Sequence, residues 1–152
     1  MLVYLPFGDW SGDGHGQCEN MLVDINSGQD LLEAEKAIKA EYGDDFFESF
    51  ANGYEEPTIS NKCWQALSDN RMPVSLLRLY DDKNDWSGIT SIEEARSIDP
   101  NPRLGIEFIK HAFIWLLNCY GANIILGVSD IPQINNWTCP GFETVGYGCF
   151  CD

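Results

Sequence analysis

Near the start of the chain, the thirteen residues Gly8-Asp9-Trp10-Ser11-Gly12-Asp13-Gly14-His15-Gly16-Gln17-Cys18-Glu19-Asn20 set three carboxylates, an imidazole and a thiol among four glycines. Glycine admits positive φ and close backbone approach, so such groups can converge on one point, as a ligand site requires. Three chemistries fit the residue types. Asp9, Ser11 and Asp13, followed by Gly14, reproduce the spacing with which the first half of an EF-hand-like loop wraps a Ca²⁺ ion in oxygen ligands. Position twelve departs from that pattern: it is Asn20 where a bidentate Glu is wanted, and Glu19 is out of register. His15 and Cys18, with Cys139, Cys149 and Cys151, offer ligands for Zn²⁺, without the paired Cys-x-x-Cys knuckles of structural zinc sites. As catalytic groups, His15 lies three residues from Cys18 and can activate its thiolate, while Glu19, Asp13 and Asp9 can act as paired carboxylates in hydrolysis. The segment supplies no third, orienting group for either reaction. A simpler use of the same residues is structural, because Asp and Ser side chains bond nearby backbone N–H groups and hold a glycine-rich turn.

The elements that must position this loop follow from the flanking pattern. Leu2-Val3-Tyr4-Leu5 reads as a strand running into the loop and Met21-Leu22-Val23-Asp24-Ile25 as its return, which makes a long-looped hairpin. Ser27 to Asp30 resembles a capping box ahead of Leu31, Ala34, Ile38 and Tyr42 at helical spacing, and Gly43 supplies the stop. A short helix is expected from Asp44-Asp45 through Phe46, Phe47, Phe50 and Ala51 to Gly53. Thr58 or Ser60 caps the next one, which carries Ile59, Cys63, Trp64 and Leu67 and ends at Asp69-Asn70. Val74 to Tyr80 is nearly continuous apolar sequence, consistent with an interior strand.

Thr90 to Glu94 offers two overlapping capping boxes for a helix reaching about Ile98. Asn101 as cap and Pro102 at the first position then open the most apolar segment, Leu104 to Tyr120, relieved only by Arg103, Glu107, Lys110, His111 and Asn118. It reads as a central buried helix stopped at Gly121, and a histidine on such a helix is usually a hydrogen-bonded core residue. Asn123 to Val128 follows as a core strand, and Val145 to Cys151 alternates as a last one. The tetrapeptide Asp-Trp-Ser-Gly occurs at 9–12 and again at 85–88, with no further agreement in register.

Composition bounds the class. A chain of 152 residues, 44% hydrophobic with five Trp, eight Phe and six Tyr, can bury a conventional core in one domain, residues 1–152. Its net charge of −15 is uneven, since the first 60 residues hold thirteen acids against Lys36 and Lys39. Such a field repels nucleic-acid phosphates and anionic lipid and favours a basic protein partner, or serves solubility alone. The Gly12-x-Gly14-x-Gly16 run lacks the Lys-Ser/Thr of a phosphate loop. No basic stretch followed by an apolar one precedes Gly8, and the charged and polar residues of 104–128 are costly inside a bilayer, so neither a leader nor a span is expected. With Cys63 and Cys119 expected on apolar helical faces, the six cysteines read as free thiols in a reducing cytoplasm.

The opening, a short strand followed by Gly-Asp-Trp-Ser-Gly-Asp-Gly-His-Gly, resembles the start of uncharacterised small bacterial proteins that carry a Gly-Asp-x-Ser-x-Asp-Gly-His type loop. The similarity covers about the first 25 residues and implies an N-terminal hairpin shared among intracellular bacterial proteins. It implies no substrate.

The expected fold is therefore α+β: a mixed, mainly antiparallel sheet covered by one long buried helix and several short ones. The expected function is that of a non-enzymatic acidic interaction module, an inhibitor or immunity-type binder. Asp9, Trp10, Ser11, Asp13, His15 and Glu19 are its candidate binding residues, alongside Glu33 to Asp45 and Glu55-Glu56. No cofactor is expected. The alternative is a small metal-binding or hydrolytic enzyme, with His15, Cys18 and Glu19 as catalytic groups or Asp9, Ser11 and Asp13 as Ca²⁺ ligands. Structural subunits form a third class.

Overall fold

The structure, a computed structural model, describes residues 2–8, 18–47, 51–52, 58–81, 84–102 and 104–126. Strands β1 (Leu2–Gly8) and β2 (Cys18–Ile25) form the expected hairpin, paired antiparallel with Val3 opposite Val23 and Gly8 opposite Cys18. A third strand, β5 (Ile124–Leu126), pairs antiparallel with β2, placing Ile124 opposite Ile25. The side-chain period of two sends Val3, Leu5, Val23, Ile25 and Ile124 to one face, where all five are buried. The order is β1-β2-β5, and every pairing among the described residues is antiparallel. The fold is α+β.

The helices begin where hydroxyl side chains can cap them. In α1 (Gly28–Tyr42) the Ser27 hydroxyl accepts from the Asp30 N–H at 3.1 Å, in α2 (Asn61–Asp69) Ser60 accepts from Cys63 at 3.2 Å, and in α4 (Ile92–Ile98) Ser91 accepts from Glu94 at 3.1 Å. Each replaces a partner that the first turn lacks. The Glu94 carboxylate reaches back to the N–H and hydroxyl of Thr90, closing the second half of the box one residue further out than the sequence suggests. Helix α5 (Gly105–Cys119) is the central one: Phe108, Ile109, Ala112, Phe113, Ile114, Leu116 and Leu117 are all buried. Phe108 stacks on Trp64 at 6.0 Å, and Phe113 meets Phe47 edge-on at 5.8 Å.

Four expectations are corrected. Val74 to Tyr80 is no strand, because Ser75–Tyr80 forms helix α3. Val74, Leu77 and Asp81 are buried at helical spacing while Leu79 is 69% exposed, and leucine, with only one β-branched residue in the run, suits a helix. The short helix expected from Asp44 to Ala51 is instead a turn at Asp44–Phe47 that buries both Phe rings, followed by β3 (Ala51–Asn52) paired with β4 (Thr58–Ile59). Neither Asn101 nor Pro102 starts α5. The Asn101 N–H is taken by the Asp99 carboxylate at 3.2 Å, and the helix begins at Gly105, whose φ of 86° turns the chain into it. Cys63 is buried as expected, but Cys119 is exposed.

A junction of three helix ends as candidate functional site

The sequence-predicted loop is placed only at its rim. Asp9, Trp10, Ser11, Asp13 and His15 lie outside the described residues, as do Glu55, Glu56, Cys139, Cys149, Cys151 and the run Val145 to Cys151. Cys18 and Glu19 belong to strand and not to loop: they open β2, opposite Gly8 and Phe7. Among the described residues no group of three or more His, Cys, Asp or Glu side chains is placed to hold a metal ion, and no helix is long and apolar enough to cross a membrane. The histidine of α5, His111, is half-buried and its Nδ1 is hydrogen-bonded to the Tyr80 hydroxyl, which ties α3 to α5.

Of the acids expected on the N-terminal face, Glu33 to Asp45 divide into two sets. Glu35 is buried and paired with Lys39 one turn on, at 2.6 Å, and Asp45 is paired with Lys62 at 3.1 Å. The hydrogen bond from Lys62, and then its charge, hold the Asp45 carboxyl below the usual range. Neither is a free negative charge. Glu33, Glu41 and Asp44 stay exposed, and none of them has a salt bridge to a described residue.

Glu41 leads to a corner where the ends of three helices bring polar side chains together. The Tyr120 hydroxyl, at the end of α5, donates to Glu41 at 2.6 Å; the Tyr42 hydroxyl, last in α1, donates to Asp69, last in α2, at 2.8 Å. The Asn70 amide, at the cap of α2, donates to the Tyr120 oxygen at 3.4 Å and to the Ala66 carbonyl at 2.9 Å. Three helix C-termini thus meet at one corner, each carrying the negative end of its dipole, with two carboxylates added. Burial, and then the Asp69 carboxylate, push the Tyr42 phenol far above its ordinary value; burial, and then Glu41, push Tyr120 upward. Both phenols stay protonated as donors, so both carboxylates are held in place with lone pairs left over.

Sequence reasoning missed this corner because its partners are distant in the chain, Tyr120 and Glu41 by 79 positions. One local signal was there: both fifteen-residue helices, α1 and α5, run into the dipeptide Tyr-Gly, at 42–43 and 120–121. Searches against family models, curated proteins and solved structures found no match to this chain.

Proposed function

We propose that this protein is a non-enzymatic acidic interaction module that binds a basic protein, in the manner of an inhibitor or immunity-type binder. The observation that supports this reading is the corner of α1, α2 and α5, where Glu41 and Asp69 are fixed by Tyr120 and Tyr42 beside three negative helix ends. A fixed carboxylate with spare lone pairs receives an arginine fork without first losing side-chain freedom, which favours tight pairing. The exposed Glu33 of α1 and Asp44 of the turn after it add the same sign of charge, and the net charge of −15 steers a basic partner toward the surface. Asp9, Trp10, Ser11, Asp13 and His15 of the loop, with Glu19 at the start of β2, are proposed as a further part of the contact. A reducing cytoplasm suits Cys63 and Cys119, which are free thiols.

Pull-down at low and high salt tests the reading. The expected result is a basic partner retained at low salt, released at high salt, and lost from the double variant Glu41→Gln/Asp69→Asn. No basic partner in either condition, or equal capture by the double variant, overturns it.

A further inference from the structure

A separate surface of α2 faces α4 across two adjoining clefts. The first, of about 310 Å³, lies between Trp64, Gln65 and Ser68 of α2 and Ile92, Glu93 and Arg96 of α4. The second, of about 360 Å³, shares Ser68, Ile92 and Glu93 with the first and extends to Arg71 and Thr90. Two of the four arginines of this acidic chain flank the pair of clefts.

Arg96 is held as a recognition group is held. Its guanidinium carbon sits 5.5 Å from the centre of the Trp64 ring, its Nε and Nη2 donate to the Pro100 carbonyl at 3.2 Å each, and Nη2 also donates to Asn61 Oδ1 at 2.8 Å. The two N–H bonds of Nη1 have no partner among the described residues and are left to donate singly to an incoming anion. Beneath it, Trp64 is 1% exposed, and its indole N–H is buried with no acceptor among the described residues. An unmet buried donor is rare in native proteins and marks a place where an acceptor is missing. A fixed cation with two unspent donors therefore lines the cleft, and behind it the buried Trp64 side chain holds an unmet indole N–H.

We propose that the α2–α4 cleft binds a carboxylate carried on a short apolar stem, with the carboxylate against Arg96 Nη1 and the stem lying along the cleft between α2 and α4. A carboxylate fits better than a phosphate here, because Glu93 stands in the cleft wall and repels a second negative charge. Arg71, exposed and without a side-chain partner among the described residues, places a second cation along the path of a longer ligand. Two sources carry this chemistry: a free organic acid, or the C-terminal carboxylate of a peptide.

The test follows the Trp64 indole N–H resonance of the full chain, assigned through Trp64→Phe, during titration with four probes. These are 4-methylpentanoate, the tripeptide acetyl-Ala-Ala-Leu with a free carboxyl terminus, the same tripeptide as its amide, and inorganic phosphate. The expected result is a saturable shift with one or both carboxylates and none with the amide. Arg96→Gln weakens binding about tenfold or more, and Arg96→Lys restores it only in part, because a lysine keeps the charge but cannot make the set of bonds to Pro100 and Asn61 that fixes it. A tighter response to 4-methylpentanoate assigns the free acid as the source, and a tighter response to the tripeptide assigns the peptide terminus. No saturable shift with either carboxylate, an equal shift with the amide, or tighter binding of phosphate overturns the proposal, and each of these is read on the native sequence.

Discussion

Helices α2 and α5 end in the same hydrogen-bond pattern with different residues at the turn. In α2 the Met72 N–H donates to the Leu67 carbonyl at 3.0 Å and the Arg71 N–H to Ser68 at 3.0 Å; in α5 the Ala122 N–H donates to Leu117 at 3.2 Å and the Gly121 N–H to Asn118 at 3.1 Å. Both are Schellman ends, with the residue after the cap at positive φ. That residue is Gly121 at 93° in α5 and Arg71 at 60° in α2. A glycine adopts this backbone freely, whereas an L side chain is held there against a cost of about 1–2 kcal/mol. The α5 end is therefore written into its own sequence, and the α2 end is imposed by its surroundings. Leu67 and Met72, the residues on either side of the turn, are both buried and clamp it from the core side.

Removing the clamp has the largest effect. Leu67→Ala and Leu117→Ala each delete a side chain with no exposure, at a cost of about 2–5 kcal/mol in urea unfolding. The two ends differ in what happens locally. Hydrogen exchange at the Arg71 amide rises well beyond the global loss in Leu67→Ala, while the Gly121 amide in Leu117→Ala follows the global loss. Equal behaviour at both turns breaks the distinction between an imposed end and an encoded one.

Next in size, substitutions at the turn position itself have opposite signs. A Cβ at Gly121 meets nothing within 4 Å, so the cost of Gly121→Ala, about 1–2 kcal/mol, comes from the backbone alone. Arg71→Gly relieves the same kind of strain while adding unfolded-state freedom, for a net gain of up to about 1 kcal/mol. Chemical denaturation of the two variants sharpens the comparison, and a loss of stability in Arg71→Gly refutes the strain. A strained arginine at the edge of the α2–α4 cleft is also what a residue retained for its charge looks like.

The α5 end was legible in the sequence because one residue type, Gly121, performs one local task, and the same holds for Gly43 and for the caps Ser27, Ser60 and Ser91. The hairpin was legible from two short apolar runs, Leu2 to Leu5 and Met21 to Ile25, on either side of a glycine-rich loop. What could not be read is what distant residues decide. Val74 to Tyr80 satisfies a strand's hydrophobicity as well as a helix's, and only the burial of Val74, Leu77 and Asp81 on one side separates them. Counting acids along 33–45 pointed to the stretch that holds Glu41, but it also included Glu35 and Asp45. Lys62 neutralises Asp45 from 17 positions away. Arg96 over Trp64 and Tyr120 on Glu41 have no signature in spacing at all, because each joins elements that meet only after folding.

The smallest expected effect lies where the two helix ends touch, at the Asn70 amide and the Tyr120 hydroxyl. The Tyr120→Phe change removes the bond to Glu41, and Tyr42→Phe removes the bond to Asp69; since both pairs are near the surface, each costs less than about 1 kcal/mol at neutral pH. Their pH dependence is more telling. Both phenols are raised in the fold, so an unfolded tyrosine, near pH 10, loses its proton first, and the native state binds more protons above that point. The contribution to stability is therefore complete below about pH 10 and declines as pH rises from there toward the folded values. In urea unfolding from about pH 8 to pH 11, the native sequence loses stability more steeply than Tyr42→Phe/Tyr120→Phe. Identical slopes mean that the phenols ionise alike in both states, and that the corner joining α2 to α5 leaves Glu41 and Asp69 as mobile as any surface acid.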